Sequence, residues 1–96
     1  MAIHLTVILK AKEELTNEVK NQLFQLVEHS RKEKGCLQYD LHQSTTESNV
    51  FVLHEVWENQ EILDLHNSQD YLKNFFALAP SLLAVTPNVI FTNKLV

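Results

Sequence analysis

The 96-residue chain contains one glycine, Gly35. Loops that cradle phosphate bring several backbone amides close to the ligand and need several glycines to do so. P-loop and dinucleotide-binding chemistry are therefore set aside. One cysteine, Cys36, excludes an internal disulfide framework and any multi-cysteine zinc site. The five histidines form neither an H-E-x-x-H motif nor a Cys/His cluster. Their only helical pairing at ligand spacing is His66 with Asp70, across an expected helix break, so no metal is expected. No apolar run reaches the length of a membrane span, and no membrane partner is expected. MAIHLTVILK has no basic segment before its apolar run and no small-residue cleavage site after it, so it reads as a strand rather than a signal peptide. A reduced, cytoplasmic location is the expectation. Twelve acidic residues against eight basic give a net charge of −4. No Lys/Arg patch stands out, so nucleic acid is not an expected partner. The one basic group, Arg31-Lys32-Glu33-Lys34, sits at a helix end, where cations suit the negative end of the macrodipole.

Hydrophobic residues make up 45% of the chain, enough for the core of a single domain spanning residues 1–96. Ile3, Leu5, Val7 and Leu9 alternate and predict a strand over 2–9. Val19, Leu23, Leu26, Val27 and Ser30 recur at helical spacing, with Thr16 as N-cap and Gly35 as the left-handed stop. CLQYDLHQ (36–43) alternates again, with Leu37, Tyr39 and Leu41 on one face, and STTESN makes a turn into the strand VFVLHEVW. Residues 59–78 are helical, capped near Asn59 or Gln60 and allowing a break around Asn67-Ser68. Pro80 and Pro87 bracket a loop before a final strand over 88–95. The order β-α-β-β-α-β predicts an α+β, ferredoxin-like sandwich: a four-stranded antiparallel sheet with two helices on one face. In VFVLHEVW both faces are largely apolar, yet helices cover only one side of such a sheet. The other side calls for a partner, most simply a second copy, and a homodimer through the sheet faces is expected.

Two candidates for chemistry stand out. Cys36 follows the helix stop, but its nearest same-strand base, His42, is too distant, so a small buried residue is the simpler role. Glu55 lies between Leu53 and Trp57 on an otherwise apolar strand face, where a carboxylate must be bonded, paired or shifted in pKa. His66, on the following helix, could fold back over that face. The pair could be a general base beside an indole, or a structural ion pair fastening helix to strand with Trp57 as core filler. Patterning does not decide between them.

The segments EKGCLQYDLH, FVLHEVWENQEILDLH and YLKNF together resemble the antibiotic biosynthesis monooxygenase family, and its small quinol-monooxygenase-like members in particular. The shared features fall on Glu33, Gly35, Cys36, Tyr39, Glu55, Trp57, His66 and Phe75 or Phe76. The resemblance implies a dimeric α+β barrel, two ferredoxin-like sheets packed face to face. It also implies a pocket in each subunit between sheet and helices, lined by Phe51, Leu53, Tyr39, Glu55, Trp57, His66 and Phe75 or Phe76. Relatives of this kind oxygenate small quinol or polyphenol aromatics with O2, without flavin, haem or metal as cofactor. The expected roles are His66 as base or hydrogen-bond donor, Glu55 orienting it, and Trp57 shaping the pocket wall.

Two other functions use the same residues: an isomerase or proton-transfer enzyme on a small metabolite, and a non-catalytic small-molecule-binding dimer. Haem degradation fits poorly. Resemblance to the family's haem-degrading branch would imply an asparagine on the first strand and a haem-ligating histidine on the second helix; here the first strand offers His4 and Thr6, and Phe75 and Phe76 stand where that histidine would be needed.

Overall fold

Alternation of apolar residues builds strand β1, Ile3–Lys10, in the computed structural model, which describes the whole chain from Met1 to Val96. Leu5, Val7 and Leu9 turn to the core and their neighbours turn away. A single 3-10 turn, Glu13–Leu15, leads into α1, Thr16–Arg31, which buries Val19, Leu23, Leu26 and Ser30 along one stripe. Thr16 is not the cap. The 3-10 turn runs straight into the helix, so Thr16 is its first residue and its hydroxyl donates back to the Glu13 carbonyl at 2.7 Å.

Gly35 has φ +86, a left-handed conformation that glycine adopts without steric cost, and it turns the chain from α1 into β2, Cys36–Gln43. A register shift between Cys36 and Gln38 interrupts the alternation expected of β2. Leu37 is consequently 60% exposed while Tyr39 is buried, and the two do not share a face as expected. β3, Val50–Trp57, buries Phe51, Leu53, Glu55 and Trp57 and leaves Val50, Val52, His54 and Val56 half-buried on the opposite face.

The second helical region is two helices, α2 (Gln60–Asn67) and α3 (Asp70–Leu82), separated at Ser68-Gln69. Asn59 caps α2, its side chain accepting from the Ile62 amide at 2.9 Å. Pro80 lies inside α3 rather than in a loop. It falls two residues before the helix ends, so its missing amide removes a single bond in the last turn, while Phe75, Ala79 and Leu82 keep the helix on the core. The last strand, β4, covers Asn88–Thr92 and is shorter than expected.

The strands form one antiparallel sheet in the order β2-β3-β1-β4. With all helices on one face, this is the ferredoxin-like α+β fold expected from the element order. The helices do not reach over β4, so Val89 and Phe91, paired with Val7 and Leu5, stay 44% and 62% exposed on the helix side of the sheet.

Candidate active site

Four chain segments meet at His66. It lies one turn after Leu63 on the buried face of α2, and it is 2% exposed. Its Nδ1 stands 2.7 Å from Glu33 Oε2, in the turn between α1 and β2. That turn is held against α2 by close packing at Gly35. A Cβ at this position would meet the Ile62 side chain at 2.7 Å. The Gly35 carbonyl also accepts from the Glu58 amide at 2.9 Å, fastening the turn to the end of β3. The only glycine thus brings Glu33 within reach of a histidine 33 positions away.

On the opposite side of the imidazole, Nε2 lies 4.0 Å from Glu55 Oε1, beyond hydrogen-bond range. Glu55 instead accepts from Trp57 Nε1–H at 3.0 Å. Trp57 is fully buried and lies under the imidazole, ring centroids 4.1 Å apart. Tyr39 meets His66 edge-on at 5.9 Å.

Two further hydroxyls join on the Glu33 side. Tyr71, from α3, donates to Glu33 Oε2, the oxygen that faces His66 Nδ1. The Tyr71 hydroxyl proton is committed to Glu33, so Ser30 Oγ, fully buried and 3.0 Å away, donates to the Tyr71 oxygen. No buried side-chain nitrogen or oxygen is left without a partner.

These contacts set the protonation pattern. Burial lowers the His66 pKa below its usual 6.5, against the opposing pull of Glu33, so the imidazole is neutral at neutral pH. With Nδ1–H donated to Glu33, the lone pair is on Nε2, on the Glu55 side. Burial raises the Glu55 carboxyl to about 7; the Trp57 bond opposes the rise and the Glu33 charge adds to it. Burial likewise raises the Tyr39 and Tyr71 hydroxyls, with the Glu55 charge adding to Tyr39 and the Glu33 bond to Tyr71, and both stay protonated. Cys36 is pushed up to about 11, by burial first and then by the charges of Glu33 and Glu55, which is the reverse of what an activated thiol needs.

A cavity of about 170 Å3 opens beside this cluster, between the sheet and α2/α3. His66, Glu55, Tyr39 and Asn67 are the polar or partly polar residues on its wall, and Leu5, Val7, Leu53, Leu63, Leu72 and Phe75 supply much of the apolar surface. Phe76, Val89 and Phe91, all partly exposed, form its mouth. Of the residues expected to line a pocket, Leu53, Tyr39, Glu55, His66, Phe75 and Phe76 do so. Phe51 and Trp57 do not: both are packed in the core, and Trp57 stands behind Glu55 and His66. The side chain hydrogen-bonded to His66 is Glu33, not Glu55. Tyr71, and the hydrogen-bonding role of Ser30 beyond its place on the α1 stripe, are not singled out by the sequence pattern. The available signal was faint: Ser30 is a polar residue on the apolar stripe of α1, and Tyr71 lies five positions after His66 in a separate helix. No group of three or more histidine, cysteine or carboxylate side chains is placed to hold a metal ion.

A ferredoxin-like sheet with an apolar cavity between sheet and helices, bordered by a histidine–carboxylate pair, defines an α+β domain with a pocket of the kind that small ligands fill. Residues 2–78 match the antibiotic biosynthesis monooxygenase family, and the chain belongs to that family. It is 34% identical over 90 residues to a Bacillus subtilis protein named "Putative monooxygenase YcnE", an alignment covering 94% of this chain and 95% of that one. Among solved structures, PA3566 from Pseudomonas aeruginosa superposes with a TM-score of 0.93 at 28% identity, covering 99% of this chain and 95% of that one. Rv0793 from Mycobacterium tuberculosis, at 22% identity and a TM-score of 0.92 with 99% and 96% coverage, shares the fold. No helix is long and apolar enough to cross a membrane.

Proposed function

We propose that this protein is a monooxygenase that oxidises a small, electron-rich aromatic alcohol of the quinol or polyphenol class with O2, without flavin, haem or metal. Family membership and the name of the B. subtilis relative support the reaction type. The observation that carries the site assignment is the placement of His66, anchored through Nδ1 on Glu33 at 2.7 Å and standing on the wall of an apolar cavity. His66 takes the proton of a substrate hydroxyl at Nε2 while Nδ1–H stays anchored on Glu33. The anion left behind is a good electron donor to O2, and the apolar wall keeps water from the intermediates. For a hydroquinone the balance is substrate plus O2 giving hydroxyquinone plus water, with one oxygen atom entering the ring. Glu55, with a carboxyl pushed up to about 7, is partly protonated at neutral pH and can donate a hydrogen bond to a second substrate oxygen. Trp57 acts from behind, holding Glu55. Tyr39, Leu53, Phe75 and Phe76 contact the ring.

The cavity, about 170 Å3, limits the size of the substrate. An engineered apolar cavity of roughly 150 Å3 takes up benzene, so one substituted ring fits here and a fused tricycle does not without side-chain movement. An oxygen-electrode screen of reduced one-, two- and three-ring quinones tests both points. Uptake is expected with single-ring quinols, with one atom of isotopically labelled O2 recovered in the product. Turnover of a metabolite without oxygen uptake would instead mark a proton-transfer enzyme.

The second part of the proposal is a homodimer, in a cytoplasmic setting. Ile8, Val50, Val52, Val56 and Ile90 lie on the sheet face that no helix covers. A second copy packed sheet to sheet would remove this apolar strip from water. Light scattering is expected to return twice the 11.1 kDa chain mass, and a monomeric mass at micromolar concentration would contradict it.

A further inference from the structure

Glu33 Oε2 carries two donors at once. His66 Nδ1 approaches at 2.7 Å from α2, and the Tyr71 hydroxyl donates to the same atom from α3. The Tyr71 oxygen is itself 3.4 Å from Nδ1, too remote to replace Glu33 as acceptor. Ser30 Oγ, fully buried on α1, fixes the hydroxyl by donating to it at 3.0 Å. His29, also on α1, stacks on the phenol ring with centroids 4.8 Å apart. The phenol is thus held by α1 and directed at a single carboxylate oxygen.

We infer that Tyr71, backed by Ser30, is a positioning residue that shares the Glu33 carboxylate with His66, keeping the imidazole unprotonated at Nε2 and open toward the cavity. A carboxylate bonded to one imidazolium alone stabilises that cation strongly. When a hydroxyl occupies a lone pair of the same oxygen, less of the negative charge is available to the imidazole. Tyr71 therefore limits how far Glu33 can raise the basicity of His66.

The groups facing His66 from each packed element are few. Glu33 comes from the turn after α1, Tyr71 from α3, Glu55 and Trp57 from β3, and Tyr39 from β2. Among these hydroxyls and carboxyls, only Tyr71 bonds the acceptor that His66 itself uses. This inference rests on the reading of His66 as a base, but its test needs no substrate.

The test is an NMR titration of the His66 ring nitrogens in the free protein. Tyr71→Phe keeps the ring and its stacking on His29 and removes one donor from Glu33, so the His66 pKa is expected to rise by about one pH unit. Ser30→Ala, which leaves Tyr71 less firmly held, is expected to raise it by a smaller amount. Glu33→Gln removes the charge, so the pKa is expected to fall. A general loosening of the site would move all three variants in the same direction. An unchanged or lowered His66 pKa in Tyr71→Phe overturns the inference, as does a rise in Glu33→Gln. Should Tyr71→Phe not fold, the opposite signs of Ser30→Ala and Glu33→Gln decide the matter. If the expected shifts appear while no quinol consumes oxygen, this inference stands and the proposed reaction fails.

Discussion

Replacing Glu55 by glutamine should make the protein more stable at neutral and alkaline pH. Glu55 is 5% exposed, and its one hydrogen-bond donor is Trp57 Nε1–H at 3.0 Å. Burial raises the carboxyl from an ordinary 4.5 to about 7. Each pH unit of such a rise corresponds to about 1.4 kcal/mol, so keeping the charged form buried costs about 3 kcal/mol. The sign follows from proton binding. Between 4.5 and about 7 the folded protein keeps a proton that the unfolded chain has released. The stability carried by this group is therefore complete below 4.5 and is lost as pH rises through about 7. Glutamine has no charge to bury, and its amide oxygen can still accept from Trp57. The expected result is a variant about as stable as the parent near pH 4 and more stable by about 3 kcal/mol near pH 8, with most of the change between. Urea unfolding of both proteins across this range measures the difference, and other titrating groups cancel in the comparison. A pH-independent difference, or one that shrinks as pH rises, would refute the reasoning.

Three other predictions address separate parts of the structure. Gly35→Ala places a Cβ on a residue with φ +86 and against Ile62 at 2.7 Å; a loss of about 1–3 kcal/mol by urea midpoint is expected, with a weakened Glu33–His66 bond visible in the His66 titration. Trp57→Phe removes the one donor that offsets the rise of the Glu55 carboxyl; Glu55 should titrate above about 7, and stability should fall by about 1–3 kcal/mol, read by NMR titration and thermal melting. Val52→Asp puts a charge on the uncovered sheet face without touching the core; it should halve the mass seen by light scattering while leaving the circular dichroism spectrum intact.

The elements and residues legible in the sequence are those with short-range signals. β1 and β3 announce themselves by alternation, and α1 by its stripe from Val19 to Ser30. Asn59 is a readable cap because its side chain serves an amide three residues on. Glu55 was legible as a carboxylate out of place between Leu53 and Trp57, and the structure buries it. The Glu33–His66 bond was not legible, because it depends on how closely two backbones approach at Gly35, and pattern carries no distance. Tyr71 was hidden for a related reason: a half-buried tyrosine on an amphipathic helix looks the same whether or not its hydroxyl has a partner. The family resemblance implies Phe51 and Trp57 as pocket residues, and they do share a strand face with Leu53 and Glu55. Parity identifies the sheet face, but Phe51 and Trp57 are packed in the core at the two ends of β3, outside the wall that Leu53 and Glu55 share. Pro80 gives a misleading stop signal: it forfeits one bond, to the Phe76 carbonyl, in the last turn, and the buried Ala79 and Leu82 hold that turn on the core.

In the proposed mechanism His66 Nε2 deprotonates a single-ring aromatic alcohol in the cavity so that O2 can attack it. The most direct measurement of this step is the rate of oxygen consumption by wild-type protein and by His66→Ala with the same reduced single-ring quinone, after subtraction of the autoxidation rate without protein. Uptake above background is expected for the wild type, with a loss of about 100-fold or more in the variant, the scale of a general base. Equal oxygen consumption by the two proteins would contradict the mechanism.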